Sequence, residues 1–181
     1  AERVARCDAS VLVRGEMGTG KASLAAAIHE LSARRAGRFC VVSCTRATPA
    51  QLERRLSGHA YEPAEAGASH PADPDDPDGG TLFLDDVEQL PLEVQGELLR
   101  VLESGVVTPR DGDRPVPIDI RVIAATHATL LREVEAGRFR ADLLYRLRIA
   151  SLHLPPLRAR RSDVALLTER FIAELNERGG R

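Results

Sequence analysis

The chain has 181 residues, 43% of them hydrophobic and 29% charged, which suits one soluble globular domain with a buried core. Its formal net charge of −2 argues against a DNA-binding segment, because binding the phosphate backbone needs an excess of basic residues. No apolar run approaches the roughly 20 residues of a membrane span, and nothing resembles a signal peptide. We therefore expect a cytoplasmic protein without a membrane partner, whose 3 cysteines are reduced thiols.

Apolar β-branched runs alternate along the chain with segments of helical spacing. In chain order the sequence predicts a strand at 10–14, a helix at 21–35, a strand at 39–44, a helix at 49–56, a strand at 81–85, a helix at 91–104, a hairpin over 106–118, a strand at 121–126, a helix at 128–136, a strand at 151–154 and a last helix at 163–177. The first helix is expected to share one apolar face among Leu24, Ala27, Ile28 and Leu31.

This alternation predicts an α/β fold with a five-stranded, mostly parallel sheet. The strands are almost wholly apolar, which is typical of a sheet that helices cover on both faces. Residues 62–80 are rich in Ala, Pro, Asp and Gly and are expected to form a mobile loop.

A glycine-rich segment, GEMGTGK, lies between the first predicted strand and the first helix. Glycines let successive backbone N–H groups converge on one anion, and the helix adds the positive end of its dipole. The segment therefore predicts a phosphate loop in which Lys21 reaches the β- and γ-phosphates of a nucleotide. The alternative is a glycine-rich turn with a solvated lysine. The candidate nucleotide-binding residues are Gly15, Glu16, Met17, Gly18, Thr19, Gly20, Lys21 and Ala22.

Two acids, Asp85 and Asp86, follow the apolar run TLFL at the expected carboxyl end of a buried strand. Ligands of parallel sheets bind at that edge. Asp85 is the candidate Mg²⁺ ligand, and Asp86 is the candidate acid that polarises the attacking water. The alternative is that two acids simply solvate the end of a strand.

Five motifs together resemble the sigma-54-interacting AAA+ domain of bacterial enhancer-binding transcription activators. They are GEMGTGK, GGTLFLDD with LPLEVQGELLRVLESG after it, RVIAAT, GRFRADLLYRL and LPPLRARRSDV. The resemblance covers about 150 residues. It implies a three-layer P-loop NTPase fold, with an AAA+ nucleotide-binding core over 1–156 and the start of a truncated helical lid over 157–181.

The resemblance further implies that ATP with Mg²⁺ binds between subunits of a ring, commonly a hexamer. Arg140 and Arg146 would then reach the γ-phosphate of the neighbouring subunit. The alternative is that they are surface arginines on a solvated helix. DNA would be bound by a domain outside this chain, and RNA polymerase or a sigma factor would be the protein partner.

Several positions depart from the pattern of the family. Ala22 replaces the acid that commonly follows the lysine, Asp86 replaces a longer Glu, and His127 replaces the Asn of the first sensor. These departures predict slow hydrolysis. The GAFTGA contact motif, expected after Leu56-Ser57-Gly58-His59, is degenerate, since Pro63 and two glutamates stand in its region. This predicts no productive contact with sigma-54.

The sequence therefore predicts an AAA+ module that couples nucleotide state to oligomerisation and transcription control. The alternative is a non-catalytic module for nucleotide sensing or structural oligomerisation, in a regulator that no longer engages sigma-54.

Overall fold

A computed structural model describes residues 2–57, 77–107 and 115–179. Its strands are β1 (Val11–Arg14), β2 (Phe39–Ser43), β3 (Thr81–Asp85), β4 (Val106–Val107), β5 (Val116–Pro117), β6 (Arg121–Thr126) and β7 (Ala150–His153). The five long strands coincide with the predicted ones to within one residue at each end. The antiparallel pair β4–β5 confirms the predicted hairpin. The tip of the hairpin, and residues 58–76 with most of the predicted mobile loop and contact motif, lie outside the described residues.

The main sheet has five strands in the order β2-β3-β6-β1-β7, and every neighbouring pair is parallel. Strand β1 is therefore flanked by β6 and β7, while β3 lies between β2 and β6. Because parallel strands share one direction, the loops after β1, β3 and β6 all emerge at the same edge of the sheet. The predicted phosphate loop, the two acids and His127 stand at that edge.

The helices are α1 (Glu2–Ala5), α2 (Lys21–Glu30), α3 (Pro49–Ser57), α4 (Leu92–Ser104), α5 (Leu130–Glu135), α6 (Ala141–Leu147) and α7 (Asp163–Gly179). Two short 3-10 turns cover Val87–Gln89 and Leu157–Ala159. Helices α1 and α6 were not predicted as elements, since four and seven residues are too few to show a clear helical period.

Helix α2 ends earlier than the sequence predicts. The hydroxyl of Ser32 donates to the carbonyl of His29 at 2.7 Å and accepts from the N–H of Arg34 at 3.1 Å. Such local bonds compete with the helical ladder and turn the chain. The predicted apolar face is wrong at Leu31, which is 54% exposed beyond the helix end.

Alternate strand residues face opposite sides of the sheet and form two cores, as three layers require. On one face Leu12, Leu84 and Val122 pack with residues of α3, α4 and α6. On the other face Val13 and Phe83 pack with residues of α1 and α2. The predicted α/β fold, with a parallel sheet between two helical layers, is therefore confirmed.

Arg121, at the start of β6, is 1% exposed and holds α1 against the sheet. Its guanidinium donates to the carbonyls of Val4 at 2.8 Å and Ala5 at 3.3 Å. These bonds satisfy carbonyl groups that the end of a helix leaves without partners. The last helix, α7, lies mostly exposed. Within the described ranges, no helix has the length and apolar character needed to cross a membrane.

Candidate nucleotide site at the carboxyl edge of the sheet

The phosphate loop connects β1 directly to α2 and takes a backbone form that needs glycine. Gly18 has φ 75° and Gly20 has φ 93°, both in the left-handed region. Thr19 shapes the same turn, since its hydroxyl donates to the carbonyl of Glu16 at 2.8 Å. Gly20 provides no side-chain cap for α2, so the first N–H groups of this ten-residue helix lack a side-chain acceptor. This is the arrangement in which a helix N-terminus binds a phosphate.

Lys21 is the only lysine in the 181-residue sequence, since every other residue in the combined Lys and Arg count is an arginine. It is 7% exposed, and its amine donates to the carbonyls of Gly15 and Glu16, each at 3.1 Å. The ammonium therefore lies inside the loop, bonded to neutral acceptors. An ammonium group binds an ionised phosphate oxygen more strongly than a neutral carbonyl oxygen, because both partners are then charged. An arriving phosphate would therefore compete well for the amine.

The segment after β7 braces the phosphate loop, a contact that the sequence analysis did not predict. Arg160 donates to the carbonyl of Thr19 at 2.6 Å. Arg158 donates to the carboxylate of Glu16 at 2.7 Å, and this hydrogen bond lowers the pKa of Glu16. The only signal in the sequence was the motif LPPLRARRSDV, which marks the family but not the contact.

Asp85 ends β3 and is partly buried. Burial, and then the charge of Asp86, raise the pKa of its carboxyl, whereas the charge of Lys21 lowers it. The fold therefore brings the lysine of the phosphate loop and the acid of β3 within electrostatic reach of one another, as the sequence predicts. Ala22 is exposed and its methyl side chain offers no oxygen to a cation.

Asp86 has φ 56° and is the only non-glycine residue with positive φ among the described residues. Its Oδ1 lies 3.2 Å from Nδ1 of His127, and its Oδ2 accepts from the hydroxyl of Thr45 at 3.3 Å. Strands β3 and β6 are neighbours, which explains why the residues after them meet. The structure thus brings together two of the residues that depart from the family pattern.

Two further residues at this edge were missed by sequence reasoning. Glu88, in the 3-10 turn after Asp86, is 8% exposed, and its Oε1 lies 2.7 Å from Nδ1 of His127. Nothing in the sequence marks a glutamate in a short turn as buried. Cys44 is buried, and burial together with the charges of Asp85, Asp86 and Glu88 raises its thiol pKa to about 12. All 3 cysteines are free, as predicted.

Neither candidate arginine contacts the phosphate loop of its own chain in the described structure. Arg140 immediately precedes α6, is 44% exposed at its side chain and pairs with Asp142 at 2.8 Å. Arg146 donates to the carbonyl of Leu102 at 3.3 Å and lines a cleft with Ser10. Since Ser10 precedes β1, that cleft lies at the amino end of the sheet, away from the phosphate loop.

The sequence model of the family described as "Sigma-54 interaction domain" matches residues 1–153. HyfR of Escherichia coli (strain K12), named as a DNA-binding transcriptional activator, is 44% identical over 174 residues, with 95% of this chain and 26% of its own length covered. SfnR of Pseudomonas fluorescens (strain Pf0-1), named as a Sigma54-dependent transcriptional regulator, is 42% identical over 180 residues, covering 99% of this chain and 49% of its own length.

Among solved structures, NtrX from Brucella abortus in complex with ADP superposes with a TM-score of 0.84 at 36% identity, covering 99% of this chain and 39% of NtrX. A structure of NtrX in complex with ATP gives a TM-score of 0.83 at 35% identity. The chain therefore spans less than half of the length of each of these relatives, from 26% of HyfR to 49% of SfnR.

Proposed function

This chain belongs to the Sigma-54 interaction domain family, and on that premise we propose that it binds ATP with Mg²⁺, hydrolyses it slowly and couples nucleotide state to oligomerisation and transcription control. The observation that carries the proposal is the phosphate loop. Its glycines have left-handed backbone, its single lysine lies buried within it, and the helix that follows has no side-chain cap. The similarity to NtrX structures with ADP and ATP supports the choice of nucleotide.

Magnesium would be held chiefly by phosphate oxygens, water and Asp85. The donors fit this role, because Asp85 offers oxygen at the carboxyl edge while Ala22 offers none. When bound, Mg²⁺ neutralises the charge of the phosphates. Its charge would also favour the ionised form of Asp85, which burial and Asp86 disfavour in the protein alone.

Asp86 would accept a hydrogen bond from the attacking water and orient it. Its carboxylate is positioned by Thr45 on one oxygen and by His127 on the other. Compared with the Glu typical of the family, the shorter side chain reaches less far from the backbone. A misplacement near 1 Å can reduce a rate by about 10²-fold, which is the physical basis for slow hydrolysis.

Arg140 and Arg146 would act on the nucleotide of a neighbouring subunit in a ring, most simply a hexamer. Both lie away from their own phosphate loop, and Arg140 is held at the surface by a bidentate contact with Asp142. A guanidinium delivered in trans stabilises charge on the transferred phosphoryl group. The site would then be complete only in the oligomer.

The transcription role would belong to the longer protein, with DNA bound outside this chain and a sigma factor or RNA polymerase as the partner. The expected absence of a productive sigma-54 contact depends on the degenerate contact motif, which lies outside the described residues. It therefore stays a prediction from the sequence. The domain division at residue 156, with a lid beginning after it, is likewise a proposal.

A non-catalytic nucleotide sensor is the second candidate. It is favoured by the contacts of Asp86, whose two oxygens are both engaged by Thr45 and His127, and by the missing oxygen at Ala22. Binding without turnover would support this alternative, while stimulated phosphate release by the assembled protein would exclude it.

The decisive experiment on binding uses the single lysine. Lys21→Ala should weaken ATP binding in calorimetry by about tenfold or more, since a charge-assisted hydrogen bond contributes about 1.5–3 kcal/mol. Arg35→Ala, which removes an exposed cation just beyond α2, serves as the matched control and should bind normally. Equal affinity of the Lys21→Ala variant and the native protein would refute the assignment.

A chemical probe gives an independent readout. An acyl-phosphate derivative of ATP transfers its acyl group to a lysine amine beside the bound phosphates, forming an amide and releasing ATP. Because Lys21 is the only lysine, a modified peptide containing it identifies the site unambiguously. Excess ATP should prevent the modification. Labelling that persists at full extent under saturating ATP would show that the amine does not face the nucleotide.

A further inference from the structure

A cluster of three metal-binding side chains lies beside the nucleotide site. Asp86 and Glu88 follow β3 and His127 follows β6, and one potential ligand atom from each lies within 4.8 Å of the others. Nδ1 of His127 is 2.7 Å from Oε1 of Glu88 and 3.2 Å from Oδ1 of Asp86. Ligands about 2.0–2.2 Å from one tetrahedral zinc ion are separated by roughly 3–3.5 Å, so small side-chain rotations would give this geometry.

Glu88 provides an independent indication of a ligand. Its side chain is 3% exposed, and neither carboxylate oxygen has a hydrogen-bond donor within the described residues. The short contact with His127 lacks hydrogen-bond geometry, so proximity alone does not satisfy the carboxylate. A buried carboxylate without a donor is costly, and a coordinated cation is one of the few ways to stabilise it.

The surroundings favour a cation and prepare the ligands for it. Burial, and then the negative charges of Asp85, Asp86 and Glu88, raise the pKa of the nearby Cys44 thiol, so all three carboxylates act on this one region. The hydroxyl of Thr45 donates to Oδ2 of Asp86, which leaves Oδ1 on the side of His127. Such outer hydrogen bonds orient the ligands of protein metal sites.

We propose that Asp86, Glu88 and His127 form a binding site for a divalent transition-metal ion of the Zn²⁺ class, separate from the Mg²⁺ that would accompany ATP at Asp85. An imidazole nitrogen with two carboxylates suits zinc and neighbouring first-row metals, whereas Mg²⁺ prefers oxygen ligands and retains water. Three protein ligands leave a fourth position for water.

The site has a regulatory consequence that rests on the proposed function. An ion held there withdraws the Asp86 carboxylate from the attacking water, so zinc acts as an inhibitor of ATP hydrolysis. It does not act on ATP binding, which depends on the phosphate loop.

The site is tested first without nucleotide. The metal-free protein is titrated with Zn²⁺ in competition with a chromophoric chelator, in the presence of millimolar Mg²⁺. We expect one high-affinity ion per chain, with affinity lowered tenfold or more in both His127→Asn and Glu88→Gln. The matched control is His153→Asn, which removes an exposed histidine at the end of β7 and should bind zinc normally. Equal zinc affinity in all four proteins would overturn the site.

A second measurement guards against misfolded variants. Co²⁺ bound at a site of this kind gives visible d–d absorption bands. These bands should appear in the native protein and in Lys21→Ala. They should be absent in the His127→Asn variant, whose circular dichroism spectrum should match that of the native protein and so show that it is folded. Failure of this test leaves ATP binding intact, and loss of ATP binding in Lys21→Ala leaves the zinc site intact, so the two proposals fail separately.

The proposed inhibition is tested by phosphate release. Stoichiometric Zn²⁺ should slow phosphate release by the assembled protein at least tenfold, and a chelator should restore it. Full turnover with zinc bound would overturn the regulatory role.

Discussion

Asp86 concentrates several properties that seldom occur together in one residue. Its left-handed backbone is unfavourable for most side chains, although Asp tolerates it better than most. Its carboxylate is engaged by Thr45 and His127 from two different elements. Local strain that the surrounding structure maintains is typical of functional positions, and here it fixes the direction of one carboxylate at the edge of the sheet.

Lengthening this side chain tests its assigned role. Asp86→Glu should raise the ATP turnover of the assembled protein with little change in ATP affinity, because the added methylene restores the reach that the family pattern has. Asp86→Asn keeps the size of the side chain but removes its charge, so it should be less active than the native protein. Phosphate release measures both. A fall in kcat for a folded Asp86→Glu variant would show that the native carboxylate is already well placed.

We expect His29 to make the stability of the protein depend on pH. It is 6% exposed, its Nδ1 lies 2.9 Å from the hydroxyl of Thr81, and burial lowers the pKa of its imidazole below the ordinary 6.5. At pH values between the pKa of His29 in the folded protein and 6.5, the unfolded chain therefore binds more protons than the folded one. The stabilisation is fully present above pH 6.5 and is lost as the pH falls below it.

The measurement is thermal unfolding at pH 7.5 and pH 5.5. The native Tm should fall on acidification, and the fall should be smaller by a few degrees in His29→Gln, since 1 kcal/mol corresponds to roughly 2–4 °C in a domain of this size. His153→Gln, at an exposed position, should keep the native response. If His29→Gln and the native protein respond equally, another group carries the pH dependence.

At the scale of elements, the junction of β2 and β3 depends on close approach of two backbones. A Cβ atom on Gly80 would lie 2.3 Å from the carbonyl oxygen and 2.8 Å from the nitrogen of Arg38. Neither atom is the end of a flexible side chain, so the strands themselves would have to separate. Gly96 is different, because it lies inside α4 and the nearest atom to its Cβ would be Nη1 of Arg140 at 3.9 Å.

We therefore expect substitution by alanine to have opposite effects on stability at the two glycines. Gly80→Ala should lower the free energy of unfolding by about 1–3 kcal/mol, as overpacking does. Gly96→Ala should raise it by about 0.4–1 kcal/mol, because alanine has less conformational freedom to lose in a helix. Urea unfolding with a common m-value measures both. A Gly80→Ala variant as stable as the native protein would mean that β2 and β3 separate easily.

At the scale of the whole molecule, the proposed reaction centre would be distributed between subunits. The phosphate loop and the acids lie at the carboxyl edge of the sheet, whereas Arg146 lines a cleft at the amino edge. One chain cannot bring these two edges together, because the sheet lies between them. If Arg146 acts on a bound phosphate, as we propose, it must do so across an interface between subunits.

Mixing two inactive variants tests this arrangement. Lys21→Ala keeps the arginines but binds ATP poorly, and Arg146→Ala binds ATP but offers no arginine in trans. Mixed oligomers contain some interfaces with both groups intact, and an arginine in trans is worth about 10³–10⁵ in rate in other P-loop enzymes. Phosphate release should therefore exceed the sum of the separate variants. If mixed oligomers form without any such gain, Arg146 is a structural residue.

Much of the fold followed from local pattern. The five long strands were predicted to within one residue, since double-sided burial leaves nearly continuous apolar runs. The phosphate loop was predicted from its glycines and its place between strand and helix, and Asp85 and Asp86 from their position after an apolar run. Helix α2 was predicted too long, because the side-chain hydrogen bond at Ser32 that ends it leaves no signal in the periodicity. Helix α6 was missed, because seven residues are too few to show a helical period.

The sequence by itself determined the five long strands, the place of the glycine-rich loop between β1 and α2, and the family, because these depend on neighbours in the chain. Only the tertiary structure decided the strand order β2-β3-β6-β1-β7, which places the end of β6 beside the end of β3. That order brings His127 to Asp86 and Glu88, and it lets Arg160 contact Thr19 across 141 positions of sequence. Pairing between distant strands depends on hydrogen bonds and burial that form only when the sheet assembles. The local spacing of residues therefore cannot predict which strands are neighbours.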